Sequence, residues 1–234
     1  MGSDRELSSK LEVVVAATFI VAAFIIAARV EVIVHTVLSY VIAGWSGFFV
    51  MAVELLGGRL LAPSFGSGIY VWGAIISVFM LALSLGYLAG GRLSMYQPSV
   101  RKLGVLLLIA AVTMMPIMWF GDPMLEVIAE RFSDPRTASL LAATGLFFVP
   151  TFASGMISPY AVRLLVSERA SSGRHAGQLY FVSTFGSAAG TLLTSFYLVL
   201  ILEVNQILLA MMSVSAVIGG IACALRPAAI ERAE

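Results

Sequence analysis

The sequence predicts an all-α, polytopic integral membrane protein with six transmembrane helices and an additional N-terminal one. Apolar residues make up 60% of the chain and charged residues only 12%, which leaves too little polar surface for a soluble domain. The charges fall in clusters that are separated by long charge-free stretches, namely residues 103–121, 137–162, 176–202 and 204–225. A helix needs about 20 residues to cross ~30 Å of hydrocarbon, so each stretch is long enough to span a bilayer.

Reading between the charge clusters gives six predicted spans: Val37–Leu60, Ile69–Ala89, Leu103–Phe120, Ala138–Val162, Gln178–Leu200 and Gln206–Leu225. A shorter apolar run, Val13–Ala28, precedes them and is either a retained helix or a cleaved signal peptide. We favour the retained helix, because the leading segment MGSDRELSSKLE mixes acids with bases. The chain then divides into an N-terminal segment (1–36), a six-helix membrane domain (37–225) and a short cytoplasmic tail (226–234).

The segment between Asp122 and Arg136 carries four charged residues around apolar residues at helical spacing. Its apolar positions are Met124, Leu125, Val127, Ile128 and Phe132. A helix with one apolar and one charged face lies in the membrane interface, so this segment is expected at the surface rather than across the bilayer.

The direction of the spans follows from the basic residues of the short loops, since positive charge is retained on the cytoplasmic side. One set of loops and the tail carry eight basic residues, and the opposite set carries Arg59, Arg131 and Arg136. The first set is Arg92, Arg101, Lys102, Arg163, Arg169, Arg174, Arg226 and Arg232. We therefore expect a multi-pass protein of a bacterial-type inner membrane, with a cytoplasmic C-terminus.

Glu54 is the main anomaly, because this carboxylate lies inside the apolar run GFFVMAVELLGG. Placing an unpaired carboxylate in hydrocarbon costs at least ~2.5 kcal/mol, so Glu54 faces protein or a water-filled cavity. It is either a substrate or coupling carboxylate, or part of a structural ion pair or a protonated, hydrogen-bonded group. Arg59 is five residues further on, about 140° around the helix, so a direct pair on one straight helix is not expected. Arg59 more readily reaches the outer interface or another helix.

Other residues receive structural interpretations. Gly86 and Gly90, and likewise Gly186 and Gly190, have the spacing of close-packed membrane helices. Pro150 and Pro159 interrupt a predicted span and predict a kinked helix. The aromatic residues near span ends are interpreted as interfacial anchors: Trp45, Trp72, Trp119, Tyr40, Tyr70 and Tyr180.

The sequence carries no recognisable catalytic, nucleotide-binding or zinc motif, so we predict no catalytic residue, no cofactor and no metal site. Cys223 is the only cysteine and is expected to be a buried, inert thiol. His35 and His175 have no second histidine at helical spacing, which makes metal binding improbable. The net charge of +1 gives no reason to expect a nucleic-acid partner.

Three stretches resemble the membrane portion of the membrane-bound, or fused major-facilitator, spermidine synthase-like family. They are ELLGGRLLAPSFGSGIYVWGAIISVFMLALSLGYLAGGRL, FASGMISPYAVRL and GQLYFVSTFGSAAGTLLTSFYL. The resemblance covers roughly Gly47 to Leu200 and implies helices related to half of a major-facilitator transporter. Family members often continue into a soluble aminopropyltransferase domain that binds S-adenosylmethionine derivatives, and this sequence shows no such domain.

The resemblance marks matching positions without assigning them a role: Glu54, Arg59, Pro63, Gly66, Trp72, Arg92, Gly155, Pro159, Tyr180 and Gly186. Of these we take Glu54, Arg59, Trp72, Pro159 and Tyr180 as candidate intramembrane functional residues. The basic residues Arg92, Arg101, Lys102, Arg163, Arg169 and Arg174 form a candidate cytoplasmic docking surface.

Three functions follow as hypotheses. The preferred one is a non-enzymatic membrane subunit that docks or feeds a separate protein partner, for instance an aminopropyltransferase-like enzyme. The second is a half-size transporter of a small polar or cationic, polyamine-like solute, which acts as a homodimer through one of the glycine faces and uses Glu54 to bind charge. The third is a structural subunit of a larger membrane complex. In each case membrane lipid surrounds the protein.

Overall fold

A computed structural model describes residues 2–166 and 172–225, with side chains for residues 29–166 and 173–225. The described residues are helical and include no strand. Six helical segments are long and apolar enough to cross a membrane, which confirms the predicted all-α polytopic class. We call them spans 1 to 6: Arg29–Phe65, Ile69–Leu93, Val100–Arg131, Pro135–Leu165, Gly173–Ile201 and Val204–Ala224.

Span 1 belongs to helix α1 (Gly2–Phe65), and the conformation of the next residue, Gly66, explains why the helix ends there. Gly66 adopts a φ of 78° and donates its backbone N–H to the carbonyl of Ala62, an arrangement that favours glycine after a helix. The helix is continuous through Thr36, so span 1 begins before the predicted Val37. The side chains of Val13–Ala28 lie outside the described residues, and a seventh span stays a prediction.

Spans 2, 3 and 4 consist of helix α2 (Ile69–Leu93), helices α3 (Val100–Val112) and α4 (Met115–Arg131), and helices α5 (Pro135–Gly155) and α6 (Ile157–Leu165). Proline explains both interruptions, because its ring excludes the carbonyl four residues earlier. Pro116 lies four residues after the end of α3, and Pro159 lies four residues after the end of α5. Pro150, by contrast, is accommodated within α5 without a break.

Residues 122–131 are a continuation of α4, which ends at Arg131, and the expected position of this segment at the membrane surface stays a prediction. Leu125 is buried, and Met124 and Ile128 pack against the core, whereas Val127 is 64% exposed. Span 3 has 32 residues and is about 48 Å long. That length exceeds ~30 Å of hydrocarbon, so the charged end of α4 projects beyond the apolar layer.

Span 5 consists of helix α7 (Ser172–Leu193), a π-helix (Thr194–Leu198) and a short helix α8 (Val199–Ile201). Span 6 is helix α9 (Val204–Ala224), which begins with a capping box formed by Glu203 and Gln206. Because the spans alternate in direction, the ends that carry Arg92, Arg101, Arg163 and Arg174 meet at one end of the bundle, which we call the basic end.

Glycines bring the helix backbones into contact in two equivalent pairs of parallel helices. In the pair α1 and α7, a β-carbon at Gly186 would lie 3.1 Å from the Cα of Gly44, and one at Gly190 would lie 2.9 Å from that of Phe48. Such distances leave no room for a side chain, which is how small residues let membrane helices approach.

The pair α2 and α5 repeats this arrangement. A β-carbon at Gly86 would lie 3.0 Å from the Cα of Gly155, and one at Gly90 would lie 2.6 Å from that of Met156. The carbonyl oxygen nearest Gly86 belongs to Phe152. Both predicted glycine pairs are therefore used for packing within the chain. A homodimer cannot use either glycine face, contrary to the hypothesis drawn from the sequence.

These contacts relate spans 1–3 to spans 4–6 by an inverted repeat. Adding 108 to the residue numbers of span 1 gives the equivalent residues of span 4, so that Gly44 corresponds to Phe152 and Phe48 to Met156. Adding 100 to the numbers of span 2 gives the equivalent residues of span 5, so that Gly86 corresponds to Gly186 and Gly90 to Gly190. Equivalent residues make equivalent contacts, while spans 1 and 4 run in opposite directions. This is the inverted-topology repeat found in many secondary transporters.

Two contacts lie on the pseudo-twofold axis, since each pairs a residue with its own equivalent. Ser46 Oγ donates to the carbonyl of Ser154 at 3.3 Å, and these two residues are also 108 apart. A β-carbon at Gly104 of α3 would lie 2.9 Å from the carbonyl oxygen of Gly219 of α9, and the reverse distance is 3.0 Å. The axis therefore passes between spans 1 and 4 and between spans 3 and 6.

Candidate functional site

Glu54 lies on the strip of α1 that is bordered by α2 on one side and α7 on the other. Gly58, one turn further on, is covered by the ring of Trp72 from α2, and Gly47, two turns earlier, lies against Ser183 of α7. Residues four and seven apart share a helix face, so Glu54 stands between these two contacts. Its side chain is half-buried, and no described residue forms a hydrogen bond or ion pair with it.

The register of α1 against span 5 places Glu54 beside the π-helix. Gly44 faces Gly186 and Phe48 faces Gly190, while further on Arg59 Nη1 donates to the carbonyl of Val199 at 2.9 Å. The two helices are parallel, so Glu54 falls at the level of residues 195 and 196. Those residues belong to the π-helix.

The depth of Glu54 follows from its distance to the end of its helix. It is eleven residues from Phe65, where α1 ends, which corresponds to about 17 Å along the axis. Because the hydrocarbon layer is ~30 Å thick, this distance places Glu54 inside it and Arg59 nearer to its edge. An intramembrane carboxylate marks a functional position by default.

The π-helix offers oxygen atoms at the level of the carboxylate. Thr194 is fully buried, and its Oγ1 has no hydrogen-bond partner among the described residues, while Ser195 is exposed. Single turns of π-helix frequently occur at functional sites. A buried hydroxyl without a partner is unusual in a folded protein, so Thr194 is a second unusual polar group at this level of the bundle.

The carbonyl of Val199 explains why Arg59 lies where it does. The last carbonyls of a helix have no partner within the helix, and α8 ends two residues later, at Ile201. The guanidinium of Arg59 supplies that partner and places a positive charge at the negative end of the helix dipole. Arg59 thus meets another helix, as the sequence analysis allowed.

A carboxylate, hydroxyls and carbonyl groups around a widened helix turn suit a cation. Oxygen donors bind hard cations and ammonium groups, and irregular helix turns supply the oxygens for coupling ions in several transporters. Among the described residues no group of three His, Cys, Asp or Glu could hold a metal ion.

The other candidate residues fall into different places. Trp72 borders the strip through Gly58, whereas Pro159 lies in α6 after the break between α5 and α6 and does not meet Glu54. Tyr180 is 58% exposed and lies in α7.

Two interpretations from the sequence need correction. Trp45 is not an anchor at a span end, because it lies in the middle of span 1, stacks on Phe48 and donates Nε1–H to Ser215 Oγ of α9 at 2.8 Å. Cys223 is partly exposed rather than buried, and its thiol lies 3.8 Å from the carbonyl of Arg101.

His35 is buried, and its Nε2 has no partner in the described part of the chain.

The candidate docking residues gather at the basic end. Arg92 ends α2, Arg101 and Lys102 begin α3, Arg163 ends α6 and Arg174 begins α7. All except Lys102 are exposed. Arg169 lies outside the described residues.

Sequence reasoning missed the π-helix and the pair Ser46–Ser154. The available signal was the GxxxG spacing repeated at an offset of 100, in LGYLAGGRL and FGSAAGTLL. Aligning those two segments would have suggested the internal repeat and directed attention to the residues that follow the second one.

The fold and the site together define a polytopic helical membrane protein that is built as a six-span inverted repeat, with a carboxylate beside a π-helix. No protein-family model, no curated protein and no solved structure matches this chain significantly. The resemblance to the spermidine synthase-like family therefore stays an expectation.

Proposed function

We propose that the chain is the membrane subunit of a transporter for a small cationic, polyamine-like solute and that Glu54 binds the positive charge. The observation that carries this proposal is the carboxylate of Glu54, which has no described partner and lies at the level of the π-helix of span 5. A partnerless charge inside hydrocarbon is costly, and a cationic ligand offsets that cost whenever it binds.

The inverted repeat supports the same proposal. Six-span inverted repeats form each half of a major-facilitator transporter, in which two halves rock about a central site. A single six-span chain then needs a second copy. Span 5 offers the most surface for that contact, because only 11% of its membrane window is buried within the chain, against 33–56% for the other spans.

The test is uptake of labelled diamines and polyamines into proteoliposomes that contain the purified chain. We expect Glu54→Gln to lower uptake at least tenfold, since it removes the charge while preserving the shape of the side chain. Glu126→Gln is the matched control, because Glu126 is an exposed carboxylate on the projecting part of α4. Both variants should elute as the wild-type protein does in size-exclusion chromatography. Unchanged uptake in a well-folded Glu54→Gln variant would remove the carboxylate from the mechanism.

The gathering of basic side chains at one end favours a second candidate function, a docking subunit for a soluble enzyme. Acidic surfaces of a partner are steered toward such a patch. Tagged protein from native membranes should then co-purify with a stoichiometric soluble partner, and Arg92→Glu together with Arg101→Glu should release it. Purification without any soluble protein would count against this candidate.

A further inference from the structure

A cleft of about 530 Å³ opens at the basic end, where the loop after α2 meets the start of α3 and the end of α6. Six of the described residues line it: Met95, Tyr96, Gln97, Pro98, Lys102 and Arg163. Two of the six are cationic and none is acidic, so the cleft favours an anionic ligand. The cleft is at the opposite end of the bundle from Glu54, and the loop after α2 forms it together with α3 and α6, rather than α1 and α7.

The loop that forms one wall of the cleft is held by two separate anchors. Lys102 Nζ donates to the carbonyls of Tyr96 at 2.7 Å and of Gln97 at 3.0 Å. On the other side, the backbone N–H of Ser99 donates to the hydroxyl of Tyr160 at 3.0 Å, and Tyr160 is fully buried. The wall is therefore fixed before any ligand arrives.

Gln97 gives a reason to regard this wall as functional. Its φ of 45° is the only positive value of a non-glycine residue in the described part of the chain. Such a conformation costs free energy and persists where surrounding contacts determine it. The two hydrogen bonds from Lys102 to the carbonyls of Tyr96 and Gln97 supply such contacts.

The two cations retain donors for a ligand. An ammonium group has three N–H donors, and Lys102 uses two of them within the loop. Arg163 is exposed, and its guanidinium, with five donors, forms no hydrogen bond to a described residue. A planar guanidinium beside an ammonium suits the tetrahedral oxygens of a phosphate group.

The rim of the cleft identifies the source of that phosphate. Met95 is 76% exposed and Tyr96 is 72% exposed, although both are large apolar or amphipathic side chains. Such residues prefer the layer where headgroups meet acyl chains, and the cleft lies where three spans end. Basic pockets between membrane helices bind lipid headgroups. We infer that this cleft binds the phosphate of an anionic phospholipid, with Arg163 and Lys102 as its ligands and Met95 and Tyr96 against its acyl chains.

The test is native mass spectrometry of the purified full chain, titrated with phosphatidylglycerol or with phosphatidylcholine of the same acyl chains. We expect one molecule of phosphatidylglycerol to bind ahead of phosphatidylcholine. Arg163→Gln should weaken that binding about fivefold, the effect of one basic residue near a membrane surface. Arg163→Lys should retain most of the binding, and Arg174→Gln, at the same end but outside the cleft, should bind like the wild type. Equal weakening by Arg163→Gln and Arg174→Gln would overturn the inference, because it indicates a general surface charge.

A photoactivatable phosphatidylglycerol on the wild-type protein tests the site without a substitution, with inorganic phosphate as the competitor. Crosslinks at residues 95–98 that survive millimolar phosphate support a lipid site. Displacement by phosphate alone would assign the cleft to a free phosphate and overturn the lipid source. Crosslinks only elsewhere, or a soluble protein that occupies the cleft in place of lipid, would overturn the inference itself.

Discussion

Gly86 and Gly90 of span 2 contact span 4 in the same way as Gly186 and Gly190 of span 5 contact span 1. The two halves of the chain therefore share their helix contacts. Their chemistry differs, however, since the offset of 108 that relates span 1 to span 4 takes Glu54 to Val162. Backbone contacts through glycine require only the absence of a side chain, so the remaining positions are free to diverge.

The difference is clearest at two equivalent places. The π-helix at residues 194–198 corresponds, through the offset of 100, to residues 94–98, which include the wall of the basic cleft. Beside the first lies the carboxylate of Glu54, and beside the second lies Arg163, next to the residue that corresponds to Glu54. The two equivalent regions thus carry a negative group in one half and, one residue beyond its counterpart, a positive group in the other. An inverted repeat can in this way present two sites of opposite charge toward opposite ends of the bundle.

We expect the largest loss of stability from substitutions that disrupt the glycine contacts shared by the two halves. Gly86→Ala and Gly186→Ala each place a methyl group against a neighbouring backbone, and overpacking costs about 1–3 kcal/mol. We expect similar losses of thermal stability, measured by fluorescence-detected size-exclusion chromatography. Gly73→Ala and Gly220→Ala are the controls, since a β-carbon at either would meet no atom within 4 Å. A loss in only one half would show that the two contacts are not energetically equivalent.

Arg59→Gln should have the next largest effect, because Arg59 makes a charged hydrogen bond that joins span 1 to span 5. It removes the charged donor to the carbonyl of Val199, and a hydrogen bond from a charged group contributes about 1.5–3 kcal/mol. Because the side chain of Arg59 is exposed, its hydrogen bond contributes less than that, and we expect the free energy of unfolding to fall by about 1 kcal/mol. Arg92 is also an exposed arginine near a helix end, and Arg92→Gln should leave the thermal stability unchanged. Equal effects of the two substitutions would mean that the bond to Val199 contributes nothing measurable.

The hydrogen bond between Trp45 and Ser215 tests a contact that the repeat does not share, since Trp45 corresponds to Ala153. A double-mutant cycle with Trp45→Phe and Ser215→Ala should give a coupling of about 0.5–1.5 kcal/mol, the range for a neutral hydrogen bond. The coupling is read from the thermal stabilities of the four proteins. A value near zero would assign the effect of Trp45 to its stacking on Phe48 alone.

The smallest effect concerns Asp134, which begins span 4 at the end opposite the basic end. Hydrogen bonds from the Thr137 hydroxyl and from the backbone N–H groups of Arg136 and Thr137 hold the pKa of Asp134 below its usual range. Because the pKa of Asp134 is lower in the native state than in the unfolded chain, its ionised carboxylate stabilises the protein at pH values above the unfolded-state pKa of about 3.9. That stabilisation disappears as the pH falls through the native-state pKa.

Asp134→Asn should therefore reduce the loss of stability that the wild-type protein shows on acidification below about pH 4. The measurement is the difference between the melting temperatures of the two proteins from pH 7 to pH 3. Asp122→Asn, an exposed acid of α4, serves as the control. A difference that does not change with pH would show that Asp134 does not act through its charge.

The candidate site was only half predictable. Glu54 was visible because a charge in an apolar run is costly and therefore conspicuous. The π-helix at Thr194–Leu198 was not, because a π-helix has no sequence signature of its own. Pro159 follows the break between α5 and α6, and a functional role for it stays a prediction. The cleft at Lys102 and Arg163 needed the loop conformation of Gln97, which depends on hydrogen bonds from a different element.

The sequence by itself determined the class of the protein, the six spans and their alternation, because hydropathy and length depend on each segment separately. It also placed the basic residues at one end, since loop charges are counted along the chain. Only the tertiary structure decided which helices touch, that the glycine faces are occupied within the chain, and that Glu54 lies beside the π-helix. These depend on the register between helices distant in sequence, and no single segment contains that information.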